Sequence, residues 1–197
     1  MSGPEVVLFD LGGVLLPFDR ERRVRTLTRA LKVTPEAARA FMESELHARL
    51  DLGRATEAEL TSAMSELAGF AVPPDAARAL LLSVFEAPNE ALWSLAGELA
   101  GKVRVGGFSD NPTFVREIFP EGRDLDPMFW SAELGVSKTD ARAFAAVEAR
   151  LGLDPGAILL IDDTQANVVL ARDLGWDAIH YRANGQLIGE LAERGLE

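Results

Sequence analysis

The sequence predicts an α/β protein: a parallel sheet flanked by helices and interrupted near its start by an all-helical insert. Three observations predict it. Over residues 89–197, short apolar runs alternate with helical patterns, the signature of parallel strands joined by crossover helices. Residues 18–87 carry four helical patterns in succession with no convincing strand between them. The first apolar run precedes that block, so the insert divides one core domain, 1–17 and 88–197, around a helical domain, 18–87.

Strands are expected at 5–9, 102–108, 128–132, 157–161 and 177–181. In the insert, the basic run Arg20 to Arg25, broken by Glu21, reads as the solvated face of a helix. Pro35 follows Thr34 as a first-turn proline. Thr56 and Glu59 form a capping box ahead of the stripe Leu60, Met64 and Leu67, and Pro73–Pro74 punctuates the last helix pair. The later helices show apolar faces at Leu92, Leu95, Ala96 and Leu99, at Phe144, Val147 and Leu151, and at Ala166, Val169, Leu170 and Leu174. A further helix is expected to begin near Pro112.

The chain has 197 residues, 48% of them hydrophobic, which is enough for one sizeable core and a small accessory domain. A net charge of −11 and a pI near 4.7 argue against a nucleic-acid footprint and against anionic membranes. With no cysteine there is no disulfide, thiolate metal site or cysteine nucleophile, which favours a reducing cytoplasm. MSGPEVVLFD shows neither a signal peptide nor a membrane span.

Ligands of an open parallel sheet bind at the carboxyl ends of its strands. Polar residues fall there four times: Asp10 after 5–9; Ser109, Asp110 and Asn111 after 102–108; Lys138 after 128–132; and Asp162–Asp163 after 157–161. Singly each has a plain structural role: a turn acid, an N-cap for the helix near Pro112, a solvated charge, and capping acids for a helix over 165–175. Together they suit phosphoryl transfer, with Asp10 attacking phosphorus and Ser109 and backbone N–H groups holding the equatorial oxygens. Each carboxylate would repel a phosphate dianion by ~4 kcal/mol at 4 Å and an effective dielectric of 20. Lys138 supplies only one compensating charge, so a divalent cation is implied, and oxygen-only ligation points to Mg²⁺. Gly12 can offer its carbonyl to that metal, and Gly13 permits a tight turn clear of the phosphate.

These stretches resemble the haloacid-dehalogenase-like (HAD) superfamily: FDLGGVL its motif I, GFSDN motif II, ELGVSKTDARAF motif III and LLIDDTQAN motif IV. The helical insert lies where that superfamily carries its C1 cap. DLGGV, DLGRATEAEL and LGVSKTDARAF are further similar to a branch acting on sugar phosphates such as glucose 1-phosphate. The resemblance implies a Rossmann-like core and a small-molecule phosphate ester as substrate. It implies Asp10 as nucleophile and metal ligand, the Gly12 carbonyl as second ligand, and Asp163 as direct ligand with Asp162 holding metal-bound water. Ser109 and Lys138 would bind phosphate, beside Asp110, Asn111 and Gly13.

Three departures from the pattern stand out. Thr139 follows Lys138 where proline is usual, which loosens that backbone. Asp110 replaces an uncharged residue, and its N–H serves if its carboxylate turns away. Gly12 stands where most of these phosphatases have a second Asp as general acid and base. A haloacid dehalogenase also lacks that Asp, but attacks carbon without a metal and has a different motif IV. A non-catalytic Mg²⁺- and phosphate-binding regulator is the alternative outside enzymes, and a response-regulator receiver has a different order of residues. No GxSxG elbow or GxGxxG loop occurs, and His47 and His180 lie far from any serine motif. Phe18, Asp19 and Arg54 are candidates for the surface between insert and core, with Asp19 the first suspect for a substitute proton donor.

Overall fold

The computed structural model describes residues 3–196. Five strands, β1 (Val6–Phe9), β2 (Arg104–Ser109), β3 (Met128–Trp130), β4 (Ile158–Asp162) and β5 (Asp177–His180), form one sheet in the order β3-β2-β1-β4-β5. Every pairing is parallel. All five expected strands are present; the third stops at Trp130 because a helix starts at Ser131. The chain order reverses at β1, so the crevice expected of such a sheet opens beside the carboxyl end of β1.

Side chains alternate along β1. Val7 and Phe9 join one apolar cluster with Leu92, Trp93 and Leu187, while Val6 and Leu8 join another with Phe108, Phe144 and Val168. All four β1 residues are fully buried, as a central parallel strand covered on both faces requires.

The insert folds as five helices: α1 (Arg20–Leu31), α2 (Pro35–Met42), α3 (Glu45–Asp51), α4 (Glu57–Ala68) and α5 (Pro74–Leu82). Four were expected. Among the boundaries, only that between α2 and α3 carries neither glycine nor proline; it is made by Ser44, whose Oγ accepts from the His47 N–H at 3.4 Å. The capping box of Thr56 and Glu59 is formed. These helices surround an apolar cluster of their own, including Val24, Leu27, Leu60, Met64 and Leu81.

Two connections join this segment to the sheet. The incoming and outgoing chains pair with each other, Asp19 N–H to the Val84 carbonyl at 2.8 Å and Glu86 N–H to the Pro17 carbonyl at 2.7 Å. On the opposite side, Arg54 donates to the Gly135 carbonyl at 2.7 Å, Ser131 Oγ donates to the Asp51 carbonyl, and Gly53 packs so closely that a Cβ there would overlap the Ala132 carbonyl.

The remaining helices are α6 (Glu90–Leu99), α7 (Ser131–Leu134), α8 (Ala141–Leu151), α9 (Gln165–Asp173) and α10 (Asn184–Ala192). The segment after Pro112 is a 3₁₀ run, Thr113–Ile118, rather than an α-helix. The face expected for α9 is half right: Leu170 and Leu174 pack against the core, but Asn167, Val168 and Ala171 are the buried residues, while Ala166 is exposed and Val169 is 45% exposed. Asn167 is drawn inward by the buried Asp162 carboxylate, to which its side-chain amide donates at 3.2 Å. Among the described residues no helix is long and apolar enough to cross a membrane.

Candidate active site

The strand ends bring Asp10, Ser109, Lys138, Asp162 and Asp163 together. Lys138 lies in the loop between α7 and α8, 2% exposed, with its Nζ 2.9 Å from Asp10 Oδ1 and 2.7 Å from Asp162 Oδ2. The solvated-charge role for this lysine is therefore excluded. Burial opposes the ammonium's charge, but Asp10, Asp162 and Asp110 outweigh it and hold its pKa above the ordinary lysine range.

Asp10 directly follows the central strand β1. Its Oδ1 accepts from the Leu11 N–H at 2.7 Å and from Lys138, and its Oδ2 has no protein partner among the described residues. Burial pushes its carboxyl up to about 7; Lys138 works against that, and the charges of Asp162 and Asp163 add to it. Asp163 is raised by burial and then by Asp162. Three carboxylates against one ammonium leave an excess of negative charge.

Asp162 is fully buried and its oxygens are occupied by Lys138 Nζ, by the Thr164 N–H at 2.8 Å and by the Asn167 amide. Asp163 is half-buried, and its one side-chain hydrogen bond is a long one from Thr164 Oγ1, at 3.3 Å. One oxygen each from Asp10, Asp162 and Asp163 lies within 4.8 Å of the others, so the three could hold one cation. The donors are all oxygen, which suits a hard divalent ion such as Mg²⁺.

Gly13 has φ +77°, and a Cβ there would run into the Asp163 carboxylate. Its lack of a side chain thus makes room for Asp163, where the sequence suggested room for phosphate. Gly12 has an ordinary φ, and a Cβ there would only touch the Phe18 and Phe85 rings, the nearest atom at 3.6 Å.

Ser109 is fully buried and does not cap a helix; its Oγ accepts from the Asn111 amide at 2.9 Å. Asp110 does turn its carboxylate away. It accepts from Ser137 Oγ at 2.6 Å and from the Lys138 N–H at 3.0 and 3.1 Å. The same bonds answer the expectation of a loosened loop at Thr139: with proline absent, Asp110 and Ser137 fasten the backbone that carries the lysine.

A cavity of about 500 Å³ lies over these groups, lined from the sheet side by Asp10, Gly12, Ser109, Asp110, Asn111, Lys138 and Asp163. Gly13 and Asp162 stand behind this wall. The insert lines the cavity with Phe18, Arg23, His47 and Asp51, among others. Asp19 is not part of it, since it caps α1 and pairs with Arg25 at 3.1 Å, and Arg54 is taken up by Gly135. His180 is half-buried on edge strand β5, its Nε2 3.0 Å from the Asp163 carbonyl.

Arg23, His47 and Asp51 escaped the sequence reading. Arg23 is 8% exposed, contrary to the solvated face expected of the basic run. The signal was its position one turn before Leu27 and beside Val24, on the buried stripe of α1. Burial holds the His47 imidazole down at about 4, with Arg23 adding to it, and pushes the Asp51 carboxyl up to about 7.

No family model and no curated protein matches the sequence. Solved structures match the fold. A predicted HAD-like family hydrolase from Porphyromonas gingivalis is 24% identical with a TM-score of 0.86 and covers 100% of both chains. A HAD family enzyme from Bacteroides thetaiotaomicron, solved with magnesium and inorganic phosphate, is 23% identical with a TM-score of 0.82, over 92% of this chain and 96% of that one. L-2-haloacid dehalogenase from Xanthobacter autotrophicus, with chloropropionic acid covalently bound, is 17% identical with a TM-score of 0.62, over 98% of this chain and 84% of that one. At these TM-scores this chain shares the fold of these HAD enzymes.

Proposed function

We propose that this protein is a Mg²⁺-dependent phosphatase of small-molecule phosphate monoesters, with residues 18–87 forming a cap over a core of 1–17 and 88–197. The observation that carries the reading is the Asp10–Lys138–Asp162 cluster with Asp163 beside it, three carboxylates around one buried ammonium. It supports a cation-dependent reaction on an anion over dehalogenation, which needs no metal and so no set of three carboxylates to hold one. The magnesium and phosphate of the Bacteroides enzyme point the same way.

Bound by Asp10, Asp163 and the Gly12 carbonyl, Mg²⁺ would neutralise the excess charge and polarise the phosphoryl group. Asp10 Oδ2, the oxygen without a protein partner, attacks phosphorus. The new P–O bond forms as the ester P–O bond breaks, and the leaving oxygen takes its proton from solvent. Water then attacks the aspartyl phosphate, releasing inorganic phosphate and restoring the carboxylate. Lys138 holds Asp10 Oδ1 and balances charge on the phosphoryl oxygens, while Ser109 and the N–H groups of the 109–111 turn bind them. Asp162 orients Lys138.

Because Gly12 supplies no proton, sugar 1-phosphates and other esters with acidic leaving groups suit the site best. The test is release of phosphate from p-nitrophenyl phosphate. Activity is expected with Mg²⁺ and should fall at least ~10³-fold on chelation or in Asp10→Asn. Robust turnover by Asp10→Asn would sink the mechanism.

A further inference from the structure

Arg23 is a buried cation whose charge no carboxylate meets. Its Nη2 lies 2.9 Å from His47 Nε2, its Nε has no partner, and no ion pair reaches it among the described residues. Arginine only donates, so His47 Nε2 is the acceptor and the neutral ring carries its proton on Nδ1, which is likewise without a partner. A guanidinium held by a neutral imidazole alone is a costly arrangement in a protein interior.

An acid is nearby. Asp51, at the end of α3, lines the same cavity and sits close enough that each group feels the other's charge, yet the two do not close into an ion pair. The Asp51 backbone is held by Ser131 and the Arg23 head by His47.

We propose that Arg23 and Asp51 read a hydroxyl group of the substrate's leaving group, which accepts from the guanidinium and donates to the carboxylate. This rests on the phosphatase reading above. A hydroxyl satisfies both sides at once. A second anionic group could pair with Arg23 but would be repelled by Asp51, and an apolar leaving group would leave both groups unpaired. The leaving-group class is therefore a polyol or sugar. His47 is a positioning residue that aims Arg23.

The test measures kcat/KM with Mg²⁺ for glucose 1-phosphate, its single-deoxy analogues and p-nitrophenyl phosphate, in the parent, Asp51→Asn and Arg23→Gln. The parent should discriminate against at least one deoxy analogue by about tenfold or more, as a site built to bond a hydroxyl does. In Asp51→Asn that discrimination should shrink below about threefold, because removing the hydroxyl and removing its partner are not additive. The preference for glucose 1-phosphate over p-nitrophenyl phosphate should fall with it. A parent indifferent to every deoxy analogue overturns the proposal, as does discrimination that survives both variants. Losses in Asp51→Asn that follow leaving-group acidity instead of hydroxyl content would make it a proton donor and also overturn it.

If the parent hydrolyses none of these esters, the phosphatase reading fails by itself. The pair is then judged by binding, as the rise in Tm given by glucose 1-phosphate over that given by inorganic phosphate. That excess should vanish in Asp51→Asn; an equal excess in both proteins overturns the pair. Should Arg23→Gln not fold, Asp51→Asn, nearly isosteric, decides alone.

Discussion

Gly12 shows how one residue narrows a reaction. Most HAD-type phosphatases are expected to carry a proton-donating Asp there, and the sequence left open whether this glycine was needed for its backbone shape. Its φ is ordinary and the space around its Cβ is clear to 3.6 Å, so Gly12→Asp is tolerable by geometry. The parent's rates should depend steeply on leaving-group acidity, with aryl and anomeric phosphates far ahead of alkyl ones. Gly12→Asp should flatten that series, speeding alkyl esters by at least about tenfold, the low end of what general acid catalysis gives. Asp19 is no substitute donor, since its carboxylate is spent on capping α1 and on Arg25. Gly13 is the opposite case, fixed by both its positive φ and the neighbouring Asp163.

The junction of β4 and α9 assigns different roles to two adjacent acids. From sequence, both Asp162 and Asp163 could be helix caps, and only the family resemblance set them apart, Asp163 as direct metal ligand and Asp162 behind it. Strand alternation turns one inward and one toward the cavity, so Asp162 is saturated by Lys138, Thr164 and Asn167 while Asp163 remains available. Asp163→Asn should raise the Mg²⁺ concentration for half-maximal rate at least about tenfold with little change in Tm. Asp162→Asn should raise it too and also lower stability by roughly 1–3 kcal/mol, because it takes one of two carboxylates from a buried ammonium. Urea unfolding beside metal titration separates the two; equal Tm losses with unchanged metal dependence would favour a capping role for both. The loop before α8 likewise shows Asp110 and Ser137 replacing the stiffness that a proline after Lys138 would give.

Across the whole molecule, the helical insert brings neutral His47, raised Asp51 and Arg23 to one cavity, and this gives stability a pH signature. The unfolded imidazole takes a proton near 6.5, whereas the native one resists until about 4. The unfolded state therefore binds that proton first, and this contribution is lost as pH falls through the window, by up to about 3 kcal/mol. Asp51 has the opposite sign, its native carboxyl keeping its proton up to about 7, so its contribution is lost as pH rises. His47→Gln keeps an acceptor for Arg23 but removes the first term. The stability difference, parent minus variant, should fall steadily between pH 7 and pH 4 in urea unfolding; a pH-independent difference would refute the buried neutral histidine.

The sequence by itself determined the sheet and the acids at its edge. Apolar runs and periods of 3.6 are local properties, so β1 to β5, the helical insert and the strand-end positions of Asp10, Ser109, Lys138 and Asp162–Asp163 were legible. Only the tertiary structure decided which face each ambiguous residue takes. Arg23 belongs to a basic run that looks solvated until Leu27 and Val24 dock and carry it inside, and Asn167 displaces Val169 from the interior because a buried carboxylate needs a donor. Asp51 became part of the cavity wall through the seating of Gly53 on Ala132, more than 75 residues away in sequence, a contact that no local pattern encodes. Burial and pairing are set by what arrives from elsewhere in the chain, and the charge state of a side chain follows from them.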